Sequence, residues 1–257
     1  MRRIRRVFFT VLFSLVILYV GLCGLLYIFQ RSLIYYPQPR SNRNGITLMT
    51  LQVGSGTVLV STRPDPGAGA LIYFGGNAED VSRDMPKFSA AFPSDAIYLL
   101  HYPGYGGSAG RPSEQTIFAA ALALFDQVHA DHKNIVVIGR SLGSGVAVHL
   151  ASVRPVERLV LVTPYDSMTD VGMHSFPYFC FPVRWLARDK FESWRYAPQV
   201  TAPTRIIVAE EDKVVPRAST DRLRTRFRDG IASEIVVPGV GHNTISRSAN
   251  YWTLLEE

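Results

Sequence analysis

Three residues of this chain have the types and the order for nucleophilic acyl chemistry: Ser141, then Asp212, then His242. A serine hydroxyl is a poor nucleophile until a histidine takes its proton. The histidine must in turn be oriented, and its positive charge stabilised, by a carboxylate. Ser141 lies in Gly139-Arg140-Ser141-Leu142-Gly143. The apolar, β-branched run 134–138 before it reads as a buried strand, and 142–153 after it carries small and apolar residues at helical spacing. A serine on a sharp turn between strand and helix is lifted clear of the sheet, and the flanking glycines permit close backbone approach. Asp212 follows the strand-like run 205–209, within Glu210-Glu211-Asp212-Lys213-Val214-Val215-Pro216. Loops at the carboxyl ends of strands are where an open α/β sheet places its chemistry. Glu210 and Glu211 compete for the acid role, but Val214-Val215-Pro216 suggests that the chain re-enters the core just after Asp212. His242 directly follows the strand 234–237, in Pro238-Gly239-Val240-Gly241-His242-Asn243. The other histidines have structural readings: His129 and His132 at an exposed helix end, His149 packed on the helix after Ser141, and His174 in an insertion. His101, at a strand end, is a further candidate for the pocket lining.

The pentapeptide by itself says little. About 0.1 chance matches to G-x-S-x-G are expected at this composition, yet the chain holds a second one, Gly106-Gly107-Ser108-Ala109-Gly110. That copy runs into Arg111-Pro112 within a Gly/Pro-rich loop, so no helix starts on it. Ser141 is therefore the expected nucleophile. The oxyanion that forms during acyl transfer needs two preorganised backbone donors. Leu142 N–H, just after the nucleophile, is expected to supply one. The other is assigned to the loop Gly75-Gly76-Asn77-Ala78, with Asn77 as the chosen donor and Gly76 or Ala78 as alternatives.

These residues need a scaffold. Strand and helix patterns alternate: strands at 46–53, 57–61, 70–74, 96–100, 134–138, 158–162, 205–209 and 234–237. Helices are expected at 80–92 (interrupted near Pro86), 113–130 (capped by Ser113), 142–153, 218–227 and 243–255. Such alternation predicts an α/β protein with a mostly parallel central sheet covered on both faces, opened by an early antiparallel pair. Residues 164–201 break the alternation and are rich in aromatics, and read as a small helical cap.

Residues 7–29 are 23 positions without a charge, enough at about 1.5 Å per residue for a hydrocarbon core of about 30 Å. The run exceeds a signal-peptide core and lacks a clear small-residue cleavage site. It predicts a signal-anchor transmembrane helix (1–29), a linker (30–45) and a domain over 46–257. Four arginines precede the run and three follow it, favouring a cytoplasmic N-terminus and an extracytoplasmic domain, periplasmic in a bacterium. The net charge of +6 owes four charges to Arg2, Arg3, Arg5 and Arg6. No basic stripe interleaved with aromatics remains, which argues against a nucleic-acid partner. Arg222, Arg224, Arg226 and Arg228 read as the solvated face of a helix. Cys23 and Cys180 are not expected to pair, and neither has metal-ligand spacing.

Several segments resemble the Bem46-like group of membrane-anchored serine hydrolases, of the α/β-hydrolase superfamily. They are Tyr35-Tyr36-Pro37, Phe74-Gly75-Gly76-Asn77-Ala78, the stretch from Tyr102 to Glu114, Gly139 to Gly143, Asp212 and Gly241-His242-Asn243. Gly75 stands where the group usually has His, and Pro103 where it often has Arg. The resemblance implies the α/β-hydrolase fold and marks Ser108 as a loop residue. It implies hydrolysis of an ester or thioester through an acyl-enzyme on Ser141, without metal or organic cofactor; separately, the aromatic cap reads either as a lid that favours lipid-like acyl chains or as plain packing. Two other readings stand beside it: a serine aminopeptidase, with Glu79 or Asp80 holding a substrate amine, and a hydrolase-like scaffold that binds a membrane partner.

Overall fold

The computed structural model describes residues 2–41, 46–65, 67, 69–175 and 182–256. Elements follow in chain order: α1 (Arg2–Ile34), β1 (Thr47–Val53), β2 (Gly56–Arg63), β3 (Gly69–Phe74), α2 (Met85–Ala91), β4 (Ala96–Leu100), α3 (Glu114–Asp131), β5 (Asn134–Arg140), α4 (Leu142–Val153), β6 (Arg158–Val162), α5 (Met168–Ser175), α6 (Val183–Leu186), α7 (Ser193–Tyr196), β7 (Thr204–Ala209), α8 (Arg217–Arg224), β8 (Ala232–Val237) and α9 (Tyr251–Glu256). The strands form one sheet in the order β1-β2-β4-β3-β5-β6-β7-β8. β1 and β2 pair antiparallel, as do β2 and β4; every other pairing is parallel.

Because side chains alternate across a strand, the central strands feed two core layers. Ile72 and Phe74 of β3 join α3 and α4 residues such as Phe125 and Val146 on one face. Leu71 and Tyr73 join Phe88 of α2 and Leu254 of α9 on the other. Strands buried on both faces explain the continuous apolar runs in the sequence. Ser113 caps α3, its Oγ accepting the Thr116 N–H while Thr116 Oγ1 accepts the Ser113 N–H.

Some expectations are corrected. Residues 30–45 are not a free linker where described: α1 continues to Ile34, Gln30 and Tyr35 are buried, and Ser41 bonds Asp80. The last helix is not continuous over 243–255. A 3₁₀ turn (Ile245–Arg247) is separated from α9 by residues 248–250, where the Ser248 hydroxyl donates to the Asn250 side chain. His132 is buried, not exposed, and lies within hydrogen-bond distance of the Tyr98 hydroxyl and the Gly67 carbonyl. Arg222, Arg224, Arg226 and Arg228 are exposed, as a solvated face implies; on α8 Arg222 pairs with Asp166 and Arg224 with Glu234, and Arg228, past the end of the helix, donates to the Pro198 carbonyl. Within the cap, Tyr165 and Phe191 are core residues while Trp185 is 84% exposed. Its residues 176–181, Cys180 included, lie outside the described part, and with them the question of pairing to Cys23.

Among the described residues α1 is the one helix long and apolar enough to cross a membrane, with a mean hydropathy of 2.5 over its most apolar stretch.

Candidate active site

The turn from β5 into α4 holds Ser141 at φ 51°, in the left-handed region that a side chain rarely adopts. Close packing explains the glycines around it. A Cβ on Gly143 would collide with the Phe74 carbonyl, and one on Gly139 with the Gly143 backbone and Ala147. Helix and strand thus approach so tightly that the sharp turn is enforced from both sides.

Three loops at the carboxyl edge of the sheet converge on Ser141. His242, on the loop after β8, has Nε2 2.9 Å from Ser141 Oγ and Nδ1 2.8 Å from Asp212 Oδ2. Both His242 and Asp212 have side chains only 7% exposed. The second carboxylate oxygen of Asp212 accepts the N–H groups of Val214 and Val215, each at 2.8 Å, so the acid is held in one orientation. The return of Val215 into the core sets up this turn. Of the competing acids, Glu210 accepts the Gly239 N–H, bracing the histidine loop from the far side, and Glu211 is exposed.

Leu142 opens α4, so its N–H has no intrahelical acceptor. Asn77 lines the same cavity as Ser141. Its loop is close, since a Cβ on Gly76 would lie 3.7 Å from Ser141 Cβ. The loop is braced at several points. Asn77 Nδ2 donates to the Ile34 carbonyl, the Asn77 carbonyl accepts from the Tyr105 hydroxyl and the Tyr36 N–H, and the Tyr102 hydroxyl donates to the Gly75 carbonyl.

One pair was not identified from the sequence. Arg140, next to Ser141, forms an ion pair with Glu79 at 2.8 Å; both side chains are largely buried. Glu79 also accepts the Tyr73 hydroxyl and the Gly76 N–H, and Arg140 reaches the His242 carbonyl. Burial opposes the charge on Arg140, but the Glu79 carboxylate outweighs it and raises the guanidinium pKa. The pair therefore ties together the strand before Ser141, the Asn77 loop and the His242 loop. A charged residue at the end of an apolar strand was the available signal, because a buried charge requires a partner. Glu79 is thus committed to Arg140. Asp80 bonds Ser41 and Ser82 outside the cavity, so neither acid is free to hold a substrate amine.

His101 does not line the cavity. It is 3% exposed, packs against Gly106, and bonds Ser61; burial pushes its pKa down to about 4. Ser108 is buried, its Oγ donating to the His101 carbonyl and accepting the Leu59 N–H.

Sheet order, elbow and converging loops are those of the α/β-hydrolase fold, and solved structures agree. The esterase Pf2001 of Pyrococcus furiosus superposes with a TM-score of 0.69 at 16% identity, over 84% of this chain and 94% of that one. The thioesterase domain from the curacin biosynthetic pathway gives 0.61 at 15%, over 83% and 100%. By sequence, the chain is similar to an uncharacterised protein of Mycobacterium tuberculosis, 37% identical over 179 residues, 68% of this chain and 63% of that protein. It is also similar to the alpha/beta hydrolase domain-containing protein aho-3 of Caenorhabditis elegans, 30% identical over 189 residues, 70% and 54% respectively. The chain thus spans somewhat more than half the length of these relatives. No known family profile matches it.

Proposed function

We propose that the chain is a membrane-tethered serine hydrolase of the Bem46-like group that cleaves a carboxylic ester or thioester through an acyl-enzyme. The observation that carries this reading is the hydrogen-bonded series from Ser141 Oγ through His242 to Asp212. Ser141 Oγ attacks the substrate carbonyl carbon while its proton passes to His242 Nε2. Asp212 orients the ring and stabilises the imidazolium. The oxyanion lies against the N–H groups of Leu142 and Asn77. Collapse breaks the bond to the alcohol or thiol, which leaves with the proton from His242. Water then attacks the acyl-enzyme, gives its proton to His242, and the acid departs as Ser141 recovers its hydrogen.

The apolar helix α1 supports a single membrane crossing, and the arginines before it favour a cytoplasmic N-terminus with the domain on the far side. The commitment of Glu79 and Asp80 to protein partners weighs against the aminopeptidase reading. The test is covalent labelling by a fluorophosphonate probe. Wild-type chain is expected to be labelled and Ser141→Ala to be unlabelled; equal labelling of both would overturn the assignment.

A further inference from the structure

The helix read as an anchor is also a wall of the site. A cavity of about 570 Å³ opens onto Ser141, and its lining draws on the cap, through Met168 and Val183, and on α1, through Leu22, Leu26, Leu33 and Ile34. Leu22, Leu26 and Leu33 are spaced to share one face of the helix. Their junction with the domain is fixed. Gln30 accepts the Arg188 N–H at 2.7 Å and donates to the Leu186 carbonyl at 3.2 Å. Arg31 pairs through two hydrogen bonds with Asp189, whose side chain is 3% exposed. Asn77 holds the last carbonyl of the helix, that of Ile34. The Ile34 end of α1 therefore sits beside Ser141. Leu22 and Leu26 belong to the uncharged run 7–29 and are at once lining residues and part of the membrane-crossing segment.

Resting on the serine-hydrolase reading of Ser141, we infer that this cavity takes the long acyl chain of an ester dissolved in the bilayer. The chain enters sideways from the hydrocarbon and lies along α1, with the carbonyl at Ser141 and the tail toward Leu22. A cavity that shares residues with a membrane span opens at hydrocarbon depth, where a fatty chain need not cross water to enter. Its length sets a ruler. From Ile34 to Leu22 the helix rises about 18 Å. Carbon–carbon bonds of about 1.5 Å at tetrahedral angles advance about 1.25 Å each, so about 14 carbons fit. Leu26 stands about 12 Å from Ile34, near the tenth carbon.

The experiment uses the full-length chain in phosphatidylcholine vesicles, with 4-methylumbelliferyl esters ranging from butanoyl to hexadecanoyl. Wild type is expected to prefer chains of about 14 carbons. Each methylene accommodated changes kcat/KM by about fourfold. Leu26→Trp, which blocks the groove part-way, is expected to move the optimum to about 10 carbons or fewer and to lower the tetradecanoyl-to-butanoyl ratio by at least about tenfold. Leu22→Trp should shorten the optimum by less. Ile28→Trp, on the same helix but not in the lining and 65% exposed, should leave the ratio unchanged. Fluorophosphonate labelling of each variant reports that it is folded. A flat chain-length response in a labelled wild type overturns this inference alone, as does an equal shift from Ile28→Trp. An unlabelled wild type overturns the hydrolase reading beneath it.

Discussion

The two G-x-S-x-G turns make the most instructive contrast in the molecule. At Gly139–Gly143 the backbone is forced through φ 51° at the serine, and a helix follows at once. The hydroxyl faces His242 across 2.9 Å and borders a cavity. At Gly106–Gly110 the glycines carry the positive φ values, the serine is buried, and its hydroxyl joins β2 to the end of β4. The same five-letter pattern forms an elbow that presents its serine to a histidine where the chain continues into a helix. Where Arg111-Pro112 follows, it is a structural bolt. What distinguishes them is which residue takes the unfavourable backbone conformation, and whether the hydroxyl still has a reactive partner after local hydrogen bonds are satisfied.

The strongest way to break this contrast is to delete each hydroxyl. Ser141→Ala is expected to lower kcat on a short ester by about 10⁵–10⁶-fold while leaving the thermal midpoint near wild type. A residual rate within tenfold of wild type would refute the assignment. Asp212→Asn is expected to lower kcat by about 10⁴-fold by favouring the wrong histidine tautomer, measured on the same ester. Next comes His101, which belongs to the Ser108 region. Its pKa is lowered by burial to about 4 from 6.5, so the unfolded chain binds the proton more readily. The stability this contributes is complete above about pH 6.5 and is lost as pH falls toward 4, amounting to roughly 3 kcal/mol. Denaturation midpoints of wild type and His101→Gln should therefore converge between pH 7 and 4.5; a constant gap would remove His101 from the account. The smallest effect is expected from Ser108→Ala, which strands the Leu59 N–H and costs about 1–3 kcal/mol. Urea unfolding should register it while kcat of the folded enzyme stays unchanged.

Much of the scaffold was legible because its signals are local. β6 lies where its apolar run lies, the Ser113 cap starts α3, and Pro86 sits in the first turn of α2, where proline is tolerated. Two of the missed features depend on distant partners. His132 at a helix end reads as exposed until the Gly67 segment folds over it. Residues 30–41 read as linker because their polar groups bond to residues remote in sequence: Asp80, Tyr105, Asp189. The split before α9 is local: Ser248 and Asn250 bond each other, side chain to side chain, at the break, a contact that apolar periodicity does not register.

Sequence alone determined the strand–turn–helix around Ser141, the order of Ser141, Asp212 and His242, the alternating architecture and the apolar span, since each is written in neighbouring residues or in periodicity. Only the tertiary structure decided that Arg140 and Glu79 neutralise one another, that Asp212 rather than Glu210 reaches the histidine, and that α1 borders the cavity at Ser141. The physical reason is the same in each case. Whether a charge is paired, a hydroxyl satisfied or an apolar face covered depends on groups brought together by folding, and those groups are far apart along the chain.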